Sequence, residues 1–314
     1  MSPILVGILG CGAMLLLIFL GMPIAFALML VGAGGIWAFS GPGAALPVLA
    51  STVYETAATY PFTIIPLFVL MGGFADASGI TTRLYRTFDR WFRRLPGGLG
   101  IATIVAISGF SAISGSSIAT SAAFGKTVIP EMRRSGYAPN FAAGIVAAGA
   151  TIDFLIPPSI GFVVYGMVTE QSIGKLLIAG ILPGLVLAAL FVAIIVIWAR
   201  LDPQVAPVPP GAPSWAERLR ALAGMWETIF VFLVTIGGMY LGYVNPTEAG
   251  GVGCALLLAV TLLQRELSWR QLVDSLRDTV RVACMVLFLV AGANLFSYFL
   301  ALSTIPAQAS AWVA

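Results

Sequence analysis

The stretch Ser108-Gly109-Phe110-Ser111-Ala112-Ile113-Ser114-Gly115-Ser116-Ser117-Ile118-Ala119-Thr120-Ser121 carries seven hydroxyls in fourteen residues, midway along an uncharged run from Leu95 to Gly125. That run exceeds the roughly 20 apolar residues a transmembrane helix needs, so it either crosses a bilayer or enters and returns. The basic residues decide between the two. Arg83, Arg86, Arg90, Arg93 and Arg94 precede it and Arg133 and Arg134 follow it, and lysine and arginine gather on the cytoplasmic side of a membrane. If the run crosses, the two clusters face opposite sides and every later cluster inverts. If it turns near Ser114-Gly115-Ser116-Ser117 and returns, fifteen of the sixteen basic residues share the inner face and only Lys175 lies outside. This parity predicts a re-entrant helical hairpin over 98–130, a form tolerated at membrane depth only where protein or an aqueous cavity surrounds it.

The rest of the chain has the composition such a hairpin requires. It is 59% hydrophobic and 9% charged, against about 25% charged residues in soluble proteins, and its mean hydropathy is +1.00. The first charge is Glu55. Apolar periods place spans at 4–20, 24–39, 61–75, 176–199, 228–244, 247–263 and 282–302, and a broken helix at 138–170. The fold expected is an all-α integral membrane protein, a multi-pass helical bundle. The N-terminus lacks a basic region and cleavage site and is expected to be retained as a span. Cys11, Cys254 and Cys284 all lie in apolar segments and read as packing residues. With no His, the usual zinc constellations are absent.

Two junctions resemble each other. Gly21-Met22-Pro23-Ile24-Ala25 joins the first two spans, which start outside, and Val244-Asn245-Pro246-Thr247-Glu248-Ala249 joins a later pair, which starts inside. Opposite orientation of similar units is the signature of inverted repeats. The first repeat is expected over 1–200 and the second over 227–314. In each, a connecting segment (Ser40–Tyr60 outside, Gln264–Arg281 inside) leads to a third span. Between the repeats, 201–226 reads as a cytoplasmic Pro-rich linker, extended over Asp202–Pro213 with Pro203, Pro207, Pro209, Pro210 and Pro213. Repeat symmetry projects a second hairpin turn near residue ~337, so the chain is expected to be truncated before that hairpin.

Chemistry concentrates in two places. In the hairpin, Ser111, Ser114, Ser116, Ser117 and Thr120 supply neutral oxygens, and a helix broken at Gly115 frees carbonyls for a monovalent cation and amides for a carboxylate. The competing reading is close helix packing by small residues. The second place is Thr151-Ile152-Asp153-Phe154-Leu155-Ile156-Pro157-Pro158-Ser159, where two prolines remove two amide donors and break the helix. A simple kink is the alternative there. Asp153 is the one acid placed deep in the membrane, where an ionisable group reads as functional by default; a buried structural acceptor is the other reading. Glu248 is expected to cap the helix that follows it. An intramembrane enzyme is not expected, and no catalytic residue is assigned: without His, and with one deep acid, the Ser-His, paired-Asp and zinc mechanisms each lack a partner.

Gly109 to Ser117, then Gly136-Tyr137, Ile156-Pro157-Pro158-Ser159, Tyr165-Gly166, Ala179-Gly180-Ile181-Leu182-Pro183-Gly184 and Pro246-Thr247-Glu248-Ala249 together resemble the large membrane subunit of the tripartite ATP-independent periplasmic transporters. The resemblance implies sodium-coupled uptake of an organic anion across the bacterial inner membrane, with sodium as the coupling ion and no cofactor. It implies a periplasmic solute-binding protein and a small four-helix membrane subunit as partners, within a lipid bilayer and without nucleic acid. It also implies an elevator in which hairpin and broken helix move against a scaffold. The Ser-rich turn and the Pro157-Pro158 break then become sodium and substrate elements: Ser114, Gly115, Ser117 and Asp153 for sodium, with Ser111, Ser116, Thr120, Thr151 and Ser159 beside them. The family usually has glycine where Asp153 stands. The other readings are an ion-coupled transporter of a related family without a binding protein, a channel, and a non-transporting membrane assembly subunit.

Overall fold

The computed structural model describes residues 2–209, 211 and 213–313; Pro210 of the proline-rich linker lies outside them. Among the described residues every regular element is a helix. In chain order these are α1 (Pro3–Phe19), α2 (Ile24–Ser40), α3 (Pro42–Ala58), a 3-10 turn (Tyr60–Thr63), α4 (Ile64–Ala77), α5 (Ile80–Phe92), α6 (Gly98–Ser114), α7 (Ser117–Arg134) and α8 (Pro139–Ala150). A second 3-10 turn (Thr151–Phe154), α9 (Ile160–Val168), α10 (Ile173–Leu201), α11 (Trp215–Ala223) and α12 (Trp226–Phe232) follow. A π turn (Leu233–Gly237), α13 (Gly238–Tyr240), α14 (Pro246–Leu263), α15 (Trp269–Leu302) and α16 (Ile305–Val313) complete them. By length and composition, Tyr60–Ala77, Ile173–Leu201, Pro246–Leu263 and Trp269–Leu302 can each cross a membrane. The pair Trp215–Ala223 and Trp226–Tyr240, bent by 45°, makes a fifth if counted as one span.

Sequence sets the helix ends. Ser2 accepts from the Leu5 amide at 3.3 Å with Pro3 in the first turn of α1, where a missing N–H costs nothing. Asn245 and Glu248 form a reciprocal cap on α14, with Glu248 N to Asn245 Oδ1 at 2.9 Å and Asn245 N to Glu248 Oε2 at 2.8 Å, so Glu248 is the helix cap its position suggests.

The chain divides into two compact units, 1–62 with 281–314, and 63–280. In the first, glycines let helices approach closely. A Cβ at Gly35 of α2 would stand 2.0 Å from the Phe299 ring, one at Gly10 of α1 2.5 Å from the same ring, and one at Gly32 2.8 Å from the Leu295 backbone. Met29, Ile36, Ala45, Ala291, Leu295 and Phe299 form the core that this approach buries.

The second unit is built around α6, buried along nearly its whole length. Phe110 of α6 and Phe124 of α7 meet edge to face with centroids 5.6 Å apart. In one straight helix those residues would lie about 21 Å apart, so the chain reverses between them. Tyr137 accepts from the Leu99 amide at 3.2 Å, and burial pushes its hydroxyl up to about 12. Arg83 of α5 joins three elements: Nη2 lies 2.6 Å from Glu227 of α12 and Nη1 3.0 Å from Glu266, while Gln264 donates to Glu227 at 2.5 Å.

Several sequence expectations are corrected. The connecting segment Ser40–Tyr60 is mostly a helix, α3. From Trp269 on, the segment Gln264–Arg281 does not separate from the span at 282–302, because both run in the single 34-residue α15; with no Pro or Gly between Trp269 and Arg281, nothing stops the helix. After the proline-rich stretch, Ser214 and Glu217 form a capping box that starts α11. The expected span 228–244 is interrupted by a π turn at Leu233–Gly237. The two compact units divide the chain at other positions than the expected repeats, since units follow packing and the expected repeats follow chain order.

Candidate functional site

Where α6 ends, Ser114 leads into Gly115 at φ +63, a left-handed position that glycine takes without strain. Ser116 is extended, and its Oγ caps α7 by accepting from the Ala119 amide at 3.4 Å. The break in the second element begins earlier than the prolines. The α-helical ladder of α8 stops at Ala150 and Thr151–Phe154 tightens to a 3-10 turn, because the Pro157 ring would clash with the carbonyl four residues before it. Pro157 and Pro158 are buried and joined by a cis bond. Ser159 then bridges the gap. Its Oγ donates to the Phe154 carbonyl at 2.9 Å and accepts from the Phe162 amide at 3.3 Å, capping α9.

The two breaks meet. The Ile160 amide points to the Gly115 carbonyl at 3.4 Å, and a Cβ on Gly115 would stand 2.9 Å from the Pro158 carbonyl oxygen. The starts of α7 and α9 therefore lie beside each other, and helix starts expose amides that favour an anion. The end of α6 lies beside them and supplies carbonyl oxygens.

Asp153 stands in the 3-10 turn at 1% exposure, and neither carboxylate oxygen has a hydrogen-bond partner among the described residues. The hydroxyls of Ser111 and Thr120 lie beside it, close enough to turn toward it. Each also has a second acceptor: Ser111 donates to the Ile107 carbonyl at 2.8 Å, and Thr120 to Ser114 Oγ at 3.3 Å. A buried negative charge without a partner costs several kcal/mol, and among the described residues no basic side chain pairs with Asp153 within 4.0 Å. The cluster of Ser111, Ser114, Thr120 and Asp153 has the composition that suits a hard monovalent cation, oxygens with one formal charge. Among the described residues no three His, Cys, Asp or Glu side chains gather to hold a metal ion.

The structure thus joins Ser111, Ser114, Thr120 and Asp153 in one group, and Gly115, Pro158 and Ser159 in the adjoining contact. Thr151 is exposed and donates to the Ala148 carbonyl at 2.6 Å, and Ser117 is half-buried in the first turn of α7. Sequence reasoning missed Gly72 of α4, where a Cβ would meet Ser114 Cα at 2.9 Å. Nothing in Leu70-Met71-Gly72 marks it locally, since the constraint comes from a helix more than forty residues away.

The sequence model of the family described as "Tripartite ATP-independent periplasmic transporter, DctM component" matches residues 11–314. Among similar curated proteins, the C4-dicarboxylate TRAP transporter large permease protein DctM of Pseudomonas aeruginosa is 37% identical over 266 residues, covering 84% of this chain and 62% of that protein. The 2,3-diketo-L-gulonate TRAP transporter large permease protein YiaN of Escherichia coli is 32% identical over 292 residues, 93% of this chain and 68% of its own length. The ectoine/5-hydroxyectoine TRAP transporter large permease protein UehC of Ruegeria pomeroyi is 36% identical over 248 residues, 78% of this chain and 56% of its own. The matched region spans roughly three fifths of these relatives' length.

Proposed function

The chain belongs to the DctM component family of the tripartite ATP-independent periplasmic transporters and is a multi-pass membrane protein, and on that premise we propose that it is the permease subunit for sodium-coupled uptake of a carboxylate-type organic anion. Solute arrives from a periplasmic binding protein, and a small four-helix membrane subunit completes the complex in the bacterial inner membrane. The observation that carries the coupling is Asp153: a buried carboxylate without a basic partner among the described residues, flanked by hydroxyl oxygens, gains a positive partner when sodium enters. The solute carboxylate goes to the amides at the starts of α7 and α9, adjoining the cation so that each charge favours the other. The solutes named for the three relatives, a C4-dicarboxylate, a diketo-gulonate and an ectoine, all carry a carboxylate, which supports the solute class. The hairpin and the broken helix, in contact at Gly115 and Pro158, move together as the elevator's transport element.

The test is solute uptake by proteoliposomes containing the full-length permease and its small subunit, with the binding protein added outside. A panel of C4-dicarboxylates and sugar acids is offered under an inward sodium gradient or an equal potassium gradient. At least one solute should accumulate with sodium and binding protein together, and fall to background when either is withdrawn. Accumulation that survives replacement of sodium by potassium removes the sodium coupling. Accumulation that needs no binding protein removes that partner.

A further inference from the structure

A second cluster of polar groups stands far from the hairpin turn. An open cavity of about 490 Å³ lies between α5, the far part of α7 and the start of α11, lined by Arg86, Arg90 and Arg93 with Tyr85, Asp89 and Glu217 among others. Thr127 and Glu131 of α7 also reach it; at 1.5 Å per residue Thr127 is about 16 Å along the helix from Ser116.

The carboxylates here are already supplied with donors. Asp89 receives Arg93 Nε at 3.0 and 3.1 Å and Nη2 at 2.5 Å, and that hydrogen bonding raises the affinity of Arg93 for its proton. Glu217 accepts from the Ser214 amide at 2.7 Å and from its hydroxyl at 3.1 Å. Glu131 has Arg134 at 3.9 Å. The donors are not matched. Arg86 and Arg90, one helical turn apart and both exposed, have no ion pair within 4.0 Å among the described residues. Tyr85, at 4% exposure, lines the same cavity, and its hydroxyl has no hydrogen-bond partner among the described residues. After those Ser214 bonds, Arg90 helps hold Glu217 ionised across the cavity, yet neither exposed guanidinium is closed into an ion pair and the phenol has no acceptor, so the group these donors can take is an anion rich in acceptors. A phosphate presents three or four such oxygens in the geometry a guanidinium fork matches.

We propose that this cavity binds a phosphate group through Arg86, Arg90 and Tyr85, carried by an anionic lipid headgroup or free in solution. The helix that supplies the residues is amphipathic, with Ile80, Leu84 and Tyr85 buried and Arg86 and Arg90 exposed. An arginine-studded helix of this kind lies naturally at a membrane surface among phosphodiesters.

The experiment uses the purified full-length permease in zwitterionic detergent. Its melting temperature is followed while short-chain phosphatidylglycerol, short-chain phosphatidylcholine or inorganic phosphate is added. The wild type should show a saturable rise with phosphatidylglycerol, with inorganic phosphate, or with both, and none with phosphatidylcholine. A rise with the lipid alone assigns the site to a headgroup, and a rise with both admits a free anion. Changing Arg86 and Arg90 together to Gln should weaken the half-saturating concentration about tenfold or more. The exposed pair Arg270 and Arg277, changed to Gln, removes the same charge and should leave the response as in wild type. An absent rise in the wild type, or an equal loss of response in both double variants, overturns the site. Tyr85→Phe, which keeps the ring, should weaken binding without lowering the melting temperature of the ligand-free protein by more than a degree or two; unchanged binding removes Tyr85 from the site.

Discussion

Asp153 is 1% exposed with both oxygens unpaired, and an unpaired carboxylate in hydrocarbon-like surroundings costs several kcal/mol. A group this costly persists where something compensates it, which under the proposed function is the coupling cation. Asp153→Asn keeps the shape and removes the charge. The half-saturating sodium concentration for uptake should therefore rise about tenfold, the effect of losing one charge-assisted contact, while the protein still assembles. Sodium dependence matching the wild type would make Asp153 a structural group only. Asp153 was legible in the sequence because a lone acid inside an apolar stretch has few innocuous explanations. The exposure of Thr151, two residues earlier in the same 3-10 turn, was not legible, because it depends on how that turn orients each side chain.

The elements divide by how far their determinants lie in sequence. The reversal at Gly115 and the break at Pro157 and Pro158 were readable because glycine and proline act on their own backbone. Ser40–Tyr60 reads as a connection because it follows the first pair of spans, and Pro42 in the first turn starts a helix there. The close approach of α1, α2 and the end of α15 had no local sign, since glycine in a membrane helix is common and only the partner reveals its role. It yields a sharp expectation. Gly35→Ala puts a methyl against a ring that can move, whereas Gly32→Ala puts one 2.8 Å from the Leu295 backbone, which cannot. Each alone should lower the melting temperature of the purified protein by several degrees. Adding Phe299→Leu, which withdraws the ring, should recover much of the loss for Gly35→Ala and little of it for Gly32→Ala. Equal recovery in both would mean that the ring does not set the spacing at Gly35.

Over the whole molecule, the distribution of arginine and lysine predicts which face each segment presents, and the reversal between α6 and α7 is the geometry that distribution requires. Single cysteines at Arg94 and Arg133, in a full-length variant lacking Cys11, Cys254 and Cys284, should react with an impermeant maleimide from the same, cytoplasmic side. Labelling from opposite sides would make the hairpin a full crossing. The reversal between α6 and α7 was open to sequence because charge bias is a global property. The repeat relation and the halves it defines rest on chain order alone. The meeting of Gly115 with Pro158 depends on how α6 and α9 pack, and no single stretch encodes that. The most direct measurement is the sodium dependence of solute uptake by the reconstituted complex, compared between wild type, Ser114→Ala and Ser117→Ala. If oxygens at the hairpin turn hold the coupling ion, Ser114→Ala, at the centre of the cluster, raises the half-saturating sodium concentration severalfold, and Ser117→Ala raises it less or equally. Wild-type sodium dependence in both variants would contradict this and leave the serines as packing residues.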